Sequence, residues 1–366
     1  MVEWLAGNRI RGTSTERTTT TGFNPVVGVV GGWKLLGRYD LNTTSDTIDV
    51  SSLDNKKYYM MLHHGLYSGD SNGTFKFNAT TGNEYIQRSG YSGGSAGAGS
   101  ARANFSYDDS SVHNSIFAVS YIVNNTDEEK IIITHQATVG LTGSGNTPNR
   151  AEQAGKWSNA TDPIDQITHT QTSGGGDYIS GSQVVVLGWD ESDTHTDNFW
   201  EELTPAGGVT LASASNSLST GTFTAKRYLW VQYHIPSSTG AANNYRLRVG
   251  NNTVVSTGSK YAFDYSINSA GDVDVPTQDQ IKLSWNSGGS GSEQSFGNIF
   301  IVNNLATEKL FISKSARTHD TGVPYTYDVT GKYVDTTHQI NIMELSHQTS
   351  ASGLGAGTII KVWGHD

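Results

Sequence analysis

The sequence predicts an all-β protein: two tandem jelly-roll-like antiparallel β-sandwich domains with an extended N-terminal arm. Gly accounts for 42 of 366 residues, and only 16% of residues are charged. Long helix-forming stretches are absent, and short β-branched and aromatic runs alternate with clusters of Gly, Ser and Asn. Related segments also recur in the same order in both halves of the chain. These three observations favour two β-sandwiches in tandem.

The repeat is clearest in the segment that ends each half. Residues 181–190 (GSQVVVLGWD) recur as residues 357–366 (GTIIKVWGHD), which places Gly188 and Gly364 176 residues apart. Other pairs keep nearly that spacing: 57–58 with 227–228, 82–85 with 258–261, 122–125 with 301–304, and 155–157 with 331–333. We interpret the chain as one unit of about 150 to 160 residues, the usual size of a domain, duplicated in tandem.

Composition places the domain boundaries. We expect an arm over residues 1–31, a first repeat over 32–190, a polar connector over 191–206 and a second repeat over 207–366. The arm is rich in Thr and poor in large apolar groups, so it cannot order itself alone. We predict that it orders against a neighbouring subunit, and the alternative is a terminus without fixed structure. The assembly residues are Trp4 as anchor, with Arg9, Arg11 and Arg17.

Bulk properties exclude several classes of protein. The chain has no Cys, so neither disulfides nor Cys-ligated metal are expected. Its formal net charge of −10 argues against a sequence-independent nucleic-acid binder, which needs a basic surface. No apolar run approaches the roughly 20 residues that span a bilayer. The first residues lack the basic and apolar regions of a signal peptide, so export by that route is not expected.

Histidine and carboxylate patterns give little support for a metal or cofactor, and we expect none. Adjacent His63 and His64 point to opposite faces of a strand, and the repeat duplicates no histidine. In the connector, three aspartates supply hard oxygen ligands for calcium, although their spacing matches no known calcium loop. These candidate metal ligands are Asp190, Asp193 and Asp197.

The sequence does not predict an enzyme. It contains no phosphate-binding loop, no Gly-x-Ser-x-Gly elbow and no dinucleotide fingerprint. A glycan-active enzyme with two facing carboxylates is the remaining catalytic alternative. For binding, we expect the loops at residues 89–100 and 140–149 to contact glycans, with exposed tyrosines stacking on sugar rings. The candidates are Tyr91, Tyr107, Tyr178 and Tyr325.

Four motifs carry a resemblance to a known group: GWKLLGR at 32–38, DNKKY at 54–58, NRAEQAGKW at 149–157 and SGSQVVVLGWD at 180–190. The chain resembles tandem-repeat virion structural proteins of marine viruses that infect prokaryotes. The resemblance covers residues 32–366, although the second repeat lacks the Asn-Arg-x-Glu part.

The resemblance implies a self-assembling capsid, capsid-decoration, spike or fibre subunit on the particle surface. Its implied partners are copies of itself and other virion proteins. The alternative is a carbohydrate-binding or host-adhesion protein that uses the end loops of the sandwiches and takes a host-surface glycan as partner.

Overall fold

The computed structural model describes residues 4–5, 8–9, 32–69, 73–91, 97–107, 115–171, 177–190, 198–236, 244–267, 270–284, 294–318, 324–348 and 353–366. Within these ranges the chain forms β-strands, turns and loops and contains no helix. The strands pair antiparallel in several sheets. The predicted all-β class is therefore confirmed.

The chain divides into two compact units, of which the first comprises Met1–Gly140 and Arg150–Trp200. The strands in this part of the sequence are β1 (Trp4–Leu5), β2 (Asn8–Arg9), β3 (Lys34–Asp40), β4 (Thr47–Ser51), β5 (Tyr58–Leu66), β6 (Gly73–Phe77), β7 (Tyr85–Tyr91), β8 (Gly97–Arg102), β9 (Phe105–Ser106), β10 (Ser115–Val123), β11 (Lys130–Thr138), β12 (Asn149–Trp157), β13 (Gln166–Gln171) and β14 (Gln183–Trp189). The large sheet has eight strands in the order β3-β14-β5-β10-β11-β12-β7-β8, and the small one has four in the order β4-β13-β6-β9.

The second unit comprises Leu141–Asn149 and Glu201–Asp366. Its strands are β15 (Glu201–Glu202), β16 (Val209–Thr210), β17 (Ser217–Thr222), β18 (Tyr228–Ile235), β19 (Tyr245–Asn251), β20 (Thr253–Val254), β21 (Tyr261–Ile267), β22 (Ala270–Gln278), β23 (Ile281–Lys282), β24 (Ser295–Val302), β25 (Lys309–Arg317), β26 (Tyr325–Tyr333), β27 (Ile342–His347) and β28 (Ile359–His365). The large sheet runs β15-β28-β18-β24-β25-β26-β21-β22, with β16 also on β28. The small sheet runs β17-β27-β19-β20, with β23 also on β19.

The two units share one strand order. In the large sheets, the order β14-β5-β10-β11-β12-β7-β8 of the first unit corresponds strand by strand to the order β28-β18-β24-β25-β26-β21-β22 of the second unit. In the small sheets, β13 pairs with β4 in the first unit, and β27 pairs with β17 at the corresponding place in the second unit. The segments that recur in the sequence therefore occupy matching places in the two sets of sheets.

Each unit has its own apolar core, to which its large and small sheets both contribute. In the first unit Tyr59 and Met61 of β5 share one cluster with Phe75 and Phe77 of β6. Every residue of β14 is buried, as expected where both faces of a strand are covered. This burial explains why residues 184–189 form an uninterrupted apolar run without polar alternation.

A buried asparagine crosslinks each unit at the matching position. Asn124 accepts the backbone N–H of Ile164 (2.8 Å) and donates to the carbonyl of Lys56 (3.1 Å). Asn303 accepts the N–H of Ile340 (2.7 Å) and donates to its carbonyl (3.0 Å). Both side chains are almost fully buried, so they satisfy backbone groups that water does not reach. The first asparagine of the Asn-Asn dipeptide in each recurring segment, 122–125 and 301–304, thus carries structural hydrogen bonds.

The closing motif of each repeat builds one further repeated contact. Asp190 forms an ion pair with Lys56 (3.3 Å), and Asp366 forms one with Lys226 (3.2 Å). A Cβ on the glycine two residues before each aspartate would overlap the stem of that same lysine. These two glycines, Gly188 and Gly364, therefore leave room for the lysine and for a leucine that would lie even closer to the Cβ, Leu36 and Leu203 respectively.

The segment Leu141–Asn149 belongs to the second unit, although it falls within the first repeat of the sequence. Gly143 donates its N–H to Glu308 Oε1 (2.6 Å), and the Leu141 carbonyl accepts from Lys332 Nζ (2.6 Å). Lys332 and Glu308 form a buried ion pair (3.4 Å) with exposed side-chain fractions of 0% and 7%. The hydrogen bonds to this pair therefore hold the loop that the sequence predicted to contact glycans.

The predicted Gly-rich loop at residues 89–100 is partly strand, so that prediction was wrong at both ends. β7 extends to Tyr91 and β8 begins at Gly97, while residues 92–96 lie outside the described residues. Ser89 pairs with Gly97 across the ladder. An antiparallel ladder forms through backbone groups alone, so an edge strand tolerates glycines that a central strand would not.

We expect Asn303→Ala to lower the free energy of unfolding by about 2 to 4 kcal/mol, because it leaves buried backbone groups at Ile340 without partners. Asn304→Ala is the matched control, since within the described residues that side chain accepts only the adjacent N–H of Leu305. Urea titration followed by tryptophan fluorescence measures both. Equal unfolding midpoints for the two variants would contradict the structural role of Asn303.

Candidate functional site

Two of the four tyrosines proposed for sugar stacking are buried, so their expected exposure was wrong. Tyr107 and Tyr178 are 2% and 0% exposed and belong to the core of the first unit. Tyr107 packs against Phe75 with ring centroids 5.1 Å apart, and Tyr178 packs against Tyr67 at 5.3 Å. Aromatic residues that flank polar loops read as exposed in the sequence, but here the sheets cover them.

The other two tyrosines are only partly buried. Tyr91 ends β7, opposite Ala151 of β12 in the first unit. Tyr325 begins β26 in the second unit, and its ring centroid lies 5.3 Å from the guanidinium carbon of Arg317. Because this cation already lies against the Tyr325 ring, a sugar would have to compete for that aromatic surface. A sugar-binding role for Tyr91 and Tyr325 stays a prediction.

The candidate calcium ligands are only partly described. Asp190 pairs with Lys56, whereas Asp193 and Asp197 lie outside the described residues. Across the ranges that the structure describes, no group of three or more His, Cys, Asp or Glu side chains is placed to hold a metal ion. In the same ranges no helix is long and apolar enough to cross a membrane.

The arm is described only where its backbone forms a short ladder. β1 pairs antiparallel with β2, and Trp4 lies opposite Arg9. Arg11 and Arg17 lie outside the described residues. The assembly role of these four residues therefore stays a prediction.

A cationic face on the small sheet of the second unit is the strongest candidate for a binding site. In β19 the residues alternate: Tyr245, Leu247 and Val249 enter the core, while Arg246 and Arg248 take the opposite face. Lys282 of β23 is the cross-strand partner of Arg246, which places both cations on the same side of the sheet. We call Arg246, Arg248 and Lys282 the cationic face.

The charges on this face are unevenly matched. Arg248 forms an ion pair with Glu344 (3.3 Å), whereas Arg246 has neither an ion pair nor a side-chain hydrogen bond within the described residues. Burial, and then the nearby Arg248, lower the pKa of the Arg246 guanidinium to about 10. Burial and then Arg246 lower the pKa of the Lys282 ammonium to about 8. Neighbouring cations that lower one another's pKa in this way favour the binding of an anion between them.

An aromatic ring lies beside these charges. The Nζ atom of Lys282 is 5.4 Å from the centroid of Tyr265, and the Lys282 residue is 8% exposed. Tyr265 itself is partly buried. The face thus combines positive charge with a neighbouring aromatic ring, a combination suited to an acidic sugar or another compact anion.

The first unit repeats only one of these three positive charges. Tyr85 and Tyr261 bind the backbone N–H groups of Phe77 and Val249 respectively, which aligns β6 with β19. On that alignment Thr74 and Lys76 replace the two arginines, and Ser106 replaces Lys282. The alternating arginines were visible in the sequence, but the lysine that completes the face comes from a separate strand and left no local signal.

Comparisons with known proteins identify no family. No protein-family model and no curated protein matches the chain. It shows 8% identity to Ail, the attachment invasion locus protein of Yersinia pestis, over 76% of this chain and 98% of that chain, with a TM-score of 0.13. It shows 9% identity to an acyl-CoA hydrolase from Agrobacterium tumefaciens over 63% of this chain and 74% of that chain, with a TM-score of 0.14. Scores of this size carry no argument about fold or function, so the resemblance to virion structural proteins stays a prediction.

Proposed function

We propose that this chain is a virion structural protein: a capsid, capsid-decoration, spike or fibre subunit that self-assembles and displays surface loops. Its architecture in this proposal is a tandem duplication of one jelly-roll-like β-sandwich. The shared strand order of the two units supports the duplication. The proposal rests on one observation: residues of the motifs that resemble virion structural proteins have structural roles in this chain.

Those motif residues hold the strands together. Asp190 and Lys56 come from two different motifs and form an ion pair with each other. From a third motif, Trp157 donates its indole N–H to Glu84 (2.8 Å), and Lys156 pairs with Glu129 (2.7 Å). A group of proteins that shares framework residues leaves its loops free to differ, which suits subunits that assemble and present variable surfaces.

We expect the purified protein to be a homo-oligomer that loses subunits when residues 1–31 are deleted, because the arm is proposed to order against a neighbouring subunit. Light scattering of the full-length and truncated proteins measures the mass of each. Full-length Trp4→Ala is a finer variant that removes only the proposed anchor and should weaken the oligomer. A monomer for the full-length protein would contradict self-assembly in solution, and an unchanged oligomer after deletion would contradict the role of the arm.

The second candidate function is the binding of an anionic glycan, which the cationic face of the second unit favours. Arg246 is a partly buried cation without an ion pair in the described residues, and Lys282 and Arg248 stand next to it. A sulfate or carboxylate placed there would accept charge-assisted hydrogen bonds from a guanidinium that now has none. This function is compatible with a virion subunit that contacts a host surface.

For this second function we expect Arg246→Gln to weaken binding of short dextran sulfate about tenfold, because one charge-assisted contact is lost. Isothermal titration calorimetry measures the affinity, and neutral dextran of the same length tests whether the charge is recognised. Lys76→Gln, which changes the aligned strand of the first unit, is the matched control and should leave the affinity unchanged. Equal losses in the two variants would show nonspecific attraction and contradict a site at Arg246.

A further inference from the structure

Two histidines meet in the core of the first unit, between its two sheets. His63 lies on the core-facing side of β5 in the large sheet, and His169 lies in β13 of the small sheet. Both are 0% exposed, and their ring centroids are 4.3 Å apart. Contact between imidazoles without access to water is unusual, since histidine is rarely placed where it cannot be solvated or paired.

The hydrogen bonding of this pair is poor. Neither ring nitrogen of His63 has a hydrogen-bond partner within the described residues. His169 Nδ1 lies 3.4 Å from the Tyr107 hydroxyl, and His169 Nε2 lies 3.4 Å from the sulfur of Met61. Distances this long, one of them to a weak acceptor, stabilise an imidazolium little. The pair is thus held as two neutral rings by packing.

Among the described residues, the rings packed against His63 carry no counter-charge. Titratable rings face it from three places: His169 on β13, Tyr107 after β9, with its centroid at 5.0 Å, and Tyr178 at 5.8 Å. Tyr67 lies behind Tyr178, and Phe75 of β6 packs on His169. Burial raises the pKa of Tyr107 and of Tyr178, so both phenols stay neutral.

We propose that the His63–His169 pair makes the first unit acid-labile: proton uptake by these two imidazoles separates its large and small sheets. A protonated ring here would lie in an apolar core beside a second imidazole that can also take up a proton. Two positive charges at this distance would repel one another without screening by water. The second unit has no histidine at either corresponding place.

The direction of the pH dependence follows from the two states of each histidine. Burial lowers the pKa of His63 to about 3, and burial together with His63 lowers the pKa of His169 well below its ordinary value. In the unfolded chain both titrate near 6.5. Between about pH 6.5 and pH 3 the unfolded state therefore binds more protons, so acid shifts the equilibrium towards unfolding. Each histidine contributes up to about a tenfold loss in the folded-to-unfolded ratio per pH unit within that window.

The second unit provides the matched comparison. Tyr58 pairs with Val123 as Tyr228 pairs with Val302, and this register aligns His63 with Tyr233. His169 pairs with Ile48 of β4, and Leu345 pairs with Leu218 of β17 at the corresponding place in the second small sheet. Tyr233 and Leu345 are both buried in the core of the second unit. The duplicated fold thus accepts a non-histidine pair at these positions.

The experiment is an acid titration from pH 7.5 to pH 3.5, with hydrogen exchange read by mass spectrometry for each unit separately. In the unaltered protein we expect amides of β5 and β13 to lose protection at a pH at least one unit above that for β18 and β27. Equal protection of the two units down to pH 3.5 would overturn the proposal, as would earlier opening of the second unit. This measurement needs no variant, so it tests the proposal even where a core substitution does not fold.

The variant is His63→Tyr with His169→Leu, the residues that the second unit carries at these places. We expect it to lower the acid midpoint of the first unit by at least about one pH unit. His135→Gln is the control, because that side chain is 19% exposed and lies 3.9 Å from Glu152; its acid midpoint should match that of the unaltered protein. An unchanged midpoint in the double variant, or a shift of equal size in the control, would contradict a role for the pair.

Discussion

The burial of apolar side chains between a large and a small sheet is the interaction on which each unit depends. The core of the first unit joins β5 residues such as Met61 to β6 residues such as Phe75, and that of the second joins Val231 to Leu247. Sheets packed in this way bury many backbone groups at their ends, where the ladder stops and water is excluded. The buried asparagines Asn124 and Asn303 meet that requirement. Apolar packing therefore sets the layers, and a few buried polar side chains hold their ends in register.

Much of this framework was predictable because it leaves patterns within short segments of the sequence. Strand residues alternate or form apolar runs, glycines mark turns, and a duplicated segment appears twice in one sequence. The closing strands could be matched from their sequence alone, and the structure supplies the reason for their glycines, which leave room for Lys56 and Lys226. What could not be predicted is which side chains meet across the layers. Met61 and His169 stand 108 residues apart, and no periodicity links them.

The same limit explains the wrong exposure predicted for two tyrosines and the unforeseen contacts of one loop. Tyr107 and Tyr178 flank polar segments, so their composition indicated exposure, but the fold places them in the core. The segment Leu141–Asn149 reads as a polar loop of the first repeat, yet its hydrogen bonds go to Glu308 and Lys332. Neither acceptor nor donor lies near that loop in the sequence. Loop composition predicts that a segment does not form a strand, but it does not predict what the segment contacts.

The two units differ most where the framework does not constrain them. Their common residues bind backbone or pair across strands, so substitution there would damage either unit. By contrast, the histidine pair of the first unit corresponds to Tyr233 and Leu345 in the second. The cationic face of the second unit corresponds to Thr74, Lys76 and Ser106 in the first. Within the described residues, the buried His63 imidazole has no hydrogen-bond partner and the partly buried Arg246 guanidinium has no ion pair, and such groups lower stability relative to apolar or paired residues. Each unit folds without the feature that the other unit carries. Stability therefore does not explain why the histidine pair and the cationic face are present.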